Sequence, residues 1–146
     1  MLEKKLLYST IVLFFSIAVS ADSATDTDLK TIMQGLRNDT SIVFDGLLID
    51  DFSAIASAAP KIADHPEIPP EQVALVAAEL GPEMAAFKQF DILVHDLALE
   101  IRSAALDSNR SRAISNYQQM VSTCLACHAS FRERVSTVLN SAQDSE

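Results

Sequence analysis

The stretch ISNYQQMVSTCLACHASFRERVSTV (114–138) sets Ile114, Tyr117, Met120 or Val121, Cys124, Cys127 or His128, Phe131, Val135 and Val138 at intervals of three and four. Residues so spaced lie side by side on one face of a helix. Asp107-Ser108-Asn109 precedes it as a turn that can cap its first residues. Upstream, Phe87, Phe90, Val94, Leu97, Ile101 and Ala104 or Ala105 make a similar stripe between about Pro82 and Leu106. Leu29, Ile32, Met33, Leu36, Val43 and Leu47 make another, with Asp26 or Asp28 as its cap and with Gly46 and Asp50-Asp51 marking its end.

A further segment, Phe52 to about Ala63, is rich in Ala but contains Pro60, which predicts a kink or break there. The run from His65-Pro66 to Pro69-Pro70 predicts a loop, and a short helical stretch then leads to Leu80 and stops at Gly81-Pro82. The tail after Asn140 is expected to fray. Three Gly and 6% aromatic residues are too few for a β-sandwich or barrel. Amphipathic helices joined by such loops bury their stripes best as an antiparallel four-helix bundle, so the expected fold is all-α.

The chain has 146 residues, enough for one domain with a core. Residues 1–21 read as a cleaved signal peptide. Lys4 and Lys5 precede an apolar run from Leu6 to Val19, and Val19-Ser20-Ala21 supplies the small residues of a cleavage site. That run is too short to cross a bilayer comfortably, so no membrane attachment is expected after cleavage. The remainder, 22–146, is expected to be one exported domain, in a bacterial periplasm. The formal net charge of −9 speaks against nucleic acid, whose phosphates are held by cationic contacts.

Chemistry concentrates in Cys124-Leu125-Ala126-Cys127-His128, which uses both cysteines of the chain. C-x-x-C-H is the attachment signature of c-type haem. Two thiols three residues apart on a helix can bond neighbouring vinyl groups at one porphyrin edge, and the next histidine can bind the iron. Three other readings stand beside it. A disulfide would close only a tiny loop and stabilise little. A thioredoxin-like pair wants a strand–helix setting. A zinc site wants a fourth ligand. Only eighteen residues follow His128, so a second axial ligand and most of a haem pocket would have to come from upstream.

The run Cys124-Leu125-Ala126-Cys127-His128-Ala129-Ser130-Phe131-Arg132 resembles the C-terminal motif of class II cytochromes c, the cytochrome c prime family. The similarity extends to the order of the helices and to the Met33 region, and so spans most of 22–146. It implies one haem c per chain on the C-terminal helix, with thioethers at Cys124 and Cys127 and His128 as axial ligand. It further implies that Phe131 and Arg132 line the histidine side. Homodimers formed through the first two helices occur in the family.

In one branch of the family an apolar residue of the first helix caps a five-coordinate iron that binds gases such as nitric oxide. In the other a methionine ligates the iron and the protein carries electrons. Met33 lies where the resemblance puts the distal residue; Leu29 and Leu36 flank it by one turn. Met120 is on the same helix as His128 and about 12 Å away at ~1.5 Å per residue, so it cannot reach the opposite face. Met84 begins the third long helix and is remote. The family's arginine shortly before the distal residue is missing; Lys30 precedes Met33 and Arg37 follows it.

His65 reads as a loop residue, and His95, with Asp91 a turn before and Asp96 beside it, as a solvated one. Asp45, Asp50, Asp51 and Asp64 read as solvated surface that could guide a basic partner. No acid–base pair, activated nucleophile or phosphate loop is visible, so no enzyme is expected. The expectation is a periplasmic single-electron carrier with Met33 and His128 as axial ligands and redox proteins as partners; the alternative is the gas-binding branch.

Overall fold

The computed structural model describes residues 28–144. The expected signal peptide, 1–21, lies outside them. Asp28 accepts a hydrogen bond from the Thr31 amide at 2.7 Å and so starts α1, Leu29–Ile49. Asp50 ends it in the left-handed region, φ 58°, donating its amide to the Gly46 carbonyl. Asp51 then accepts from the Ala54 amide at 2.9 Å and starts α2, Phe52–Ala63.

Pro60 does not break α2. It sits in the last turn, where its missing amide removes only the bond to the residue-56 carbonyl, and its own carbonyl still accepts from Asp64 at 2.8 Å. After the loop, Pro70 occupies the first position of α3, Pro70–Leu80. Gly81, at φ 53°, stops it, and a 3₁₀ turn over Gly81–Glu83 leads into α4, Met84–Leu106. Asn109 caps α5, Arg110–Gln143, by accepting from the Arg112 amide at 3.1 Å. This helix runs past Asn140, where fraying was expected.

Four helices pack together: α1 lies along α2, α2 along α4, and α4 along α5. α3 rests on α5, while α1 and α5 meet over a short length only. Gly46 does not end α1 as its sequence position suggested. It is buried inside the helix, and a Cβ there would stand 2.7 Å from Ile55 Cγ1 and 3.2 Å from the Asp51 carbonyl oxygen. The glycine lets α1 and α2 approach right after their two-residue turn.

One core cluster fills the α2 end of the molecule, with Val43, Ile55, Ile62, Ile101 and Met120 wholly buried among small side chains such as Ala59, Ala98 and Ala113. The alanines allow close helix contact. A second cluster, Leu29, Val76, Leu80, Phe131 and Val135, fills the α3 end, with Met84, Phe87, Phe90 and Cys127 only half-buried against it. The buried stripe of α1 is narrower than expected: Leu29, Ile32, Val43 and Leu47 are inside, but Met33 is 39% exposed. Among the described residues no helix is long and apolar enough to cross a membrane.

Candidate functional site

Cys124-Leu125-Ala126-Cys127-His128 lies halfway along α5, far from either terminus of that helix. Both cysteines are half-buried free thiols, while Leu125 and His128 are exposed. The helical period explains this split. Positions 124 and 127 fall on the same side as the buried Met120 and Phe131, and position 128 turns outward by one residue. Among the described residues His128 makes no hydrogen bond or ion pair, so its ring nitrogens are uncommitted.

Burial pushes the Cys124 thiol above its ordinary value. Burial does the same to Cys127, helped by the neighbouring Cys124 and by Asp91 of α4. Reactive dithiols sit where the thiolate is favoured, so raised thiols lend the redox-pair reading no support. Nor do three His, Cys, Asp or Glu side chains gather into a metal-holding group among the described residues, which leaves a zinc reading without its cage.

Phe131 is buried, with its ring meeting those of Phe87 and Phe90 edge-on at centroid distances of 5.7 and 6.1 Å. It anchors α5 to α4 beside Cys127, whereas Arg132 is exposed. Three residues beyond Phe131, Arg134 reaches Glu79 at 3.1 Å and Glu83 at 2.9 Å and ties α5 to the end of α3. The α1 surface comes near α5 at two places. Leu29 shares a cluster with Phe131 and Val135, and Phe44 stacks on Tyr117 at 6.0 Å with 23° between the ring planes. Met33 lies between those two places on α1, one turn after Leu29.

The two ring nitrogens of His65 face acceptors, Nδ1 the Pro66 carbonyl at 2.8 Å and Nε2 the Asp91 carboxylate at 3.3 Å. It straps the proline-rich loop to α4 and is engaged as a loop residue. His95 contacts Asp96 at 3.1 Å on the surface. Two residues near the motif escaped the sequence reading. Tyr117 figured only as one position of a stripe, and Phe44 was not singled out. Tyr117 stands seven residues, two turns, before Cys124, a spacing that could have marked it. Burial, Cys124 and Asp45 together raise its phenol.

The donor set suits covalent haem attachment. Two unbridged thiols share one side of a helix, next to an imidazole that nothing else holds, with apolar and aromatic side chains of α1 and α4 around them. A shallow depression of about 310 Å³ on α4 is lined by Ala86, Gln89, Leu93 and Phe90, the last of which also meets Phe131. Comparison with protein-family models, curated proteins and solved structures finds no match to this chain.

Proposed function

We propose that this protein is an exported c-type cytochrome of the class II kind, an antiparallel four-helix bundle that carries single electrons. The observation that carries the reading is the pair of free, half-buried thiols at Cys124 and Cys127 with the uncommitted His128 directly after them. In this reading Cys124 and Cys127 form thioethers to one haem c and His128 is an axial ligand. Residues 1–21 direct export to the periplasm and are removed.

The two meetings of α1 with α5 support an antiparallel run of these helices: the start of α1 goes with the later part of α5, and Phe44 with Tyr117. Counting one residue for one between these anchors brings Met33 level with His128. That register supports Met33 as the second axial ligand. The haem supplies a reversible one-electron couple when bound. The chain's own residues hold and shield it. Phe87, Phe90 and Phe131 form an aromatic wall beside Cys127 that keeps water from that edge. Arg132 stays exposed, and Arg134 fixes the helix that carries the motif. Redox proteins are the partners in this reading, and no bond of a substrate is made or broken.

The exposure of Met33 favours a second reading, a gas-binding protein whose iron keeps an open face, with the more buried Leu29 or Leu36 as the distal neighbour. Absorption spectra of the exported protein, oxidised, reduced and under carbon monoxide, decide between them. Sharp reduced bands that ignore the gas, and turn high-spin in Met33→Ala, are the expected result. Bands that shift with carbon monoxide in the wild type overturn the Met33 ligation. Absence of a covalent haem band overturns the whole reading, and Cys124→Ala and Cys127→Ala are expected to weaken or abolish that band.

A further inference from the structure

Resting on the haem reading, we propose that the exposed Phe44, stacked on the half-buried Tyr117, and the acidic surface of α1 around it form the docking site for a lysine-rimmed redox protein. The ring pair would then lie between that partner and Cys124, which would hold the haem two turns further along α5.

Phe44 is 47% exposed although it is a large aromatic, and Leu48, one turn further along α1, is 62% exposed. An apolar centre at the surface with a charged rim is the usual anatomy of a transient protein contact. The α1 side of the rim has one sign. Between Asn38 and Pro60 the chain carries Asp39, Asp45, Asp50 and Asp51 and no Lys or Arg. Arg110 of α5 neutralises only Asp50, at 3.0 Å. Asp45 follows Phe44 directly on α1, and Tyr117 stands two turns before Cys124 on α5.

The patch therefore joins three things in a row: an acidic rim, a stacked aromatic pair, and the first attachment cysteine. A partner with lysines around an apolar centre matches it in charge and in polarity. Leucines alone would suit many contacts. The acidic rim is what selects a cationic partner, and Tyr117, on the helix that carries Cys124, is what makes this contact useful for electron transfer. One electron passes from the haem of this protein to the oxidised iron of the partner, with no bond or proton changing hands.

The test uses the reduced holoprotein and, as probe, an oxidised mitochondrial cytochrome c, whose exposed haem edge is ringed by lysines. Rates are followed by stopped flow at several salt concentrations. The wild-type rate is expected to fall as salt rises. Asp45→Lys is expected to lower the low-salt rate about tenfold and to flatten its salt dependence, because rim charges act on encounter. Phe44→Ala is expected to lower the rate at high salt too, with haem bands and reduction potential unchanged. Tyr117→Phe, which keeps the ring, is expected to stay near wild type.

Glu133→Lys is the control. It makes the same change of charge sixteen residues beyond Tyr117, about 24 Å along α5 at ~1.5 Å per residue. If it slows transfer as much as Asp45→Lys, the acidity acts globally and the docking site falls. An unchanged rate in both Asp45→Lys and Phe44→Ala overturns it as well. A preparation without covalent haem sinks the cytochrome reading before any rate is taken, and this site with it.

Discussion

The two ends of the molecule are built from different side chains. At the α2 end, Val43, Ile55, Ile62, Ile101 and Met120 are sealed among alanines, and Gly46 draws α1 against Ile55. At the α3 end, where Cys127 lies, Leu29, Val76 and Leu80 are buried, but Phe87, Phe90 and Met84 are covered only in part. Small residues give close backbone contact, with Phe52, Val94 and Tyr117 among the half-buried side chains at the margin of that core. Large rings on a half-covered wall give surface against which another apolar body can be packed. The contrast separates two kinds of packing: small side chains close the first end, and half-covered rings line the second, where Cys127 lies.

Three experiments test that contrast, from the largest expected effect down. Ile101→Ala removes a wholly buried side chain and is expected to destabilise by about 2–5 kcal/mol in urea denaturation. Phe87→Ala, at the half-covered end, is expected to cost less. Equal losses would break the comparison. Gly46→Ala pushes a methyl to within 2.7 Å of Ile55 Cγ1 and is expected to destabilise by about 1–3 kcal/mol. Ile55→Val in the same chain is expected to restore part of that, which a double-mutant cycle reads directly.

The third concerns pH. The bond from Thr31 to the Asp28 side chain holds that carboxyl below its ordinary value of 3.8. A depressed folded-state value contributes stability that is present above the unfolded value and is lost as the pH falls through the folded one. Acid titration of helix content is therefore expected to show a small loss below pH 3.8 that Asp28→Asn removes. If the variant titrates like the wild type, the cap does not set the acid stability of α1.

Much of the helical plan was readable because it rests on local causes. Asp28, Asp51 and Asn109 each start a helix by accepting an amide bond three residues ahead, and Pro70 and Gly81 punctuate α3 as their backbone preferences demand. The misreadings also have local names. Pro60 looked like a break because its place within the helix could not be known; one turn from the end, it forfeits a single bond. Gly46 looked like a terminus because a glycine near two aspartates often is one, whereas its role is to admit Ile55 from the next helix. Met33 fell on the apolar stripe by period alone, but the buried face of α1 is narrower than its apolar face.

The sequence by itself determined the helices, their caps and the spacing that sets two thiols and an imidazole on adjacent positions of α5, since all of these depend on neighbours within a few residues. Only the tertiary structure decided which apolar side chains are sealed and which are left at the surface, how closely α1 meets α2, and that Phe44 stacks on Tyr117. Those pairings join residues far apart in the chain. Their distances follow from how whole helices pack, which no periodicity within one helix encodes.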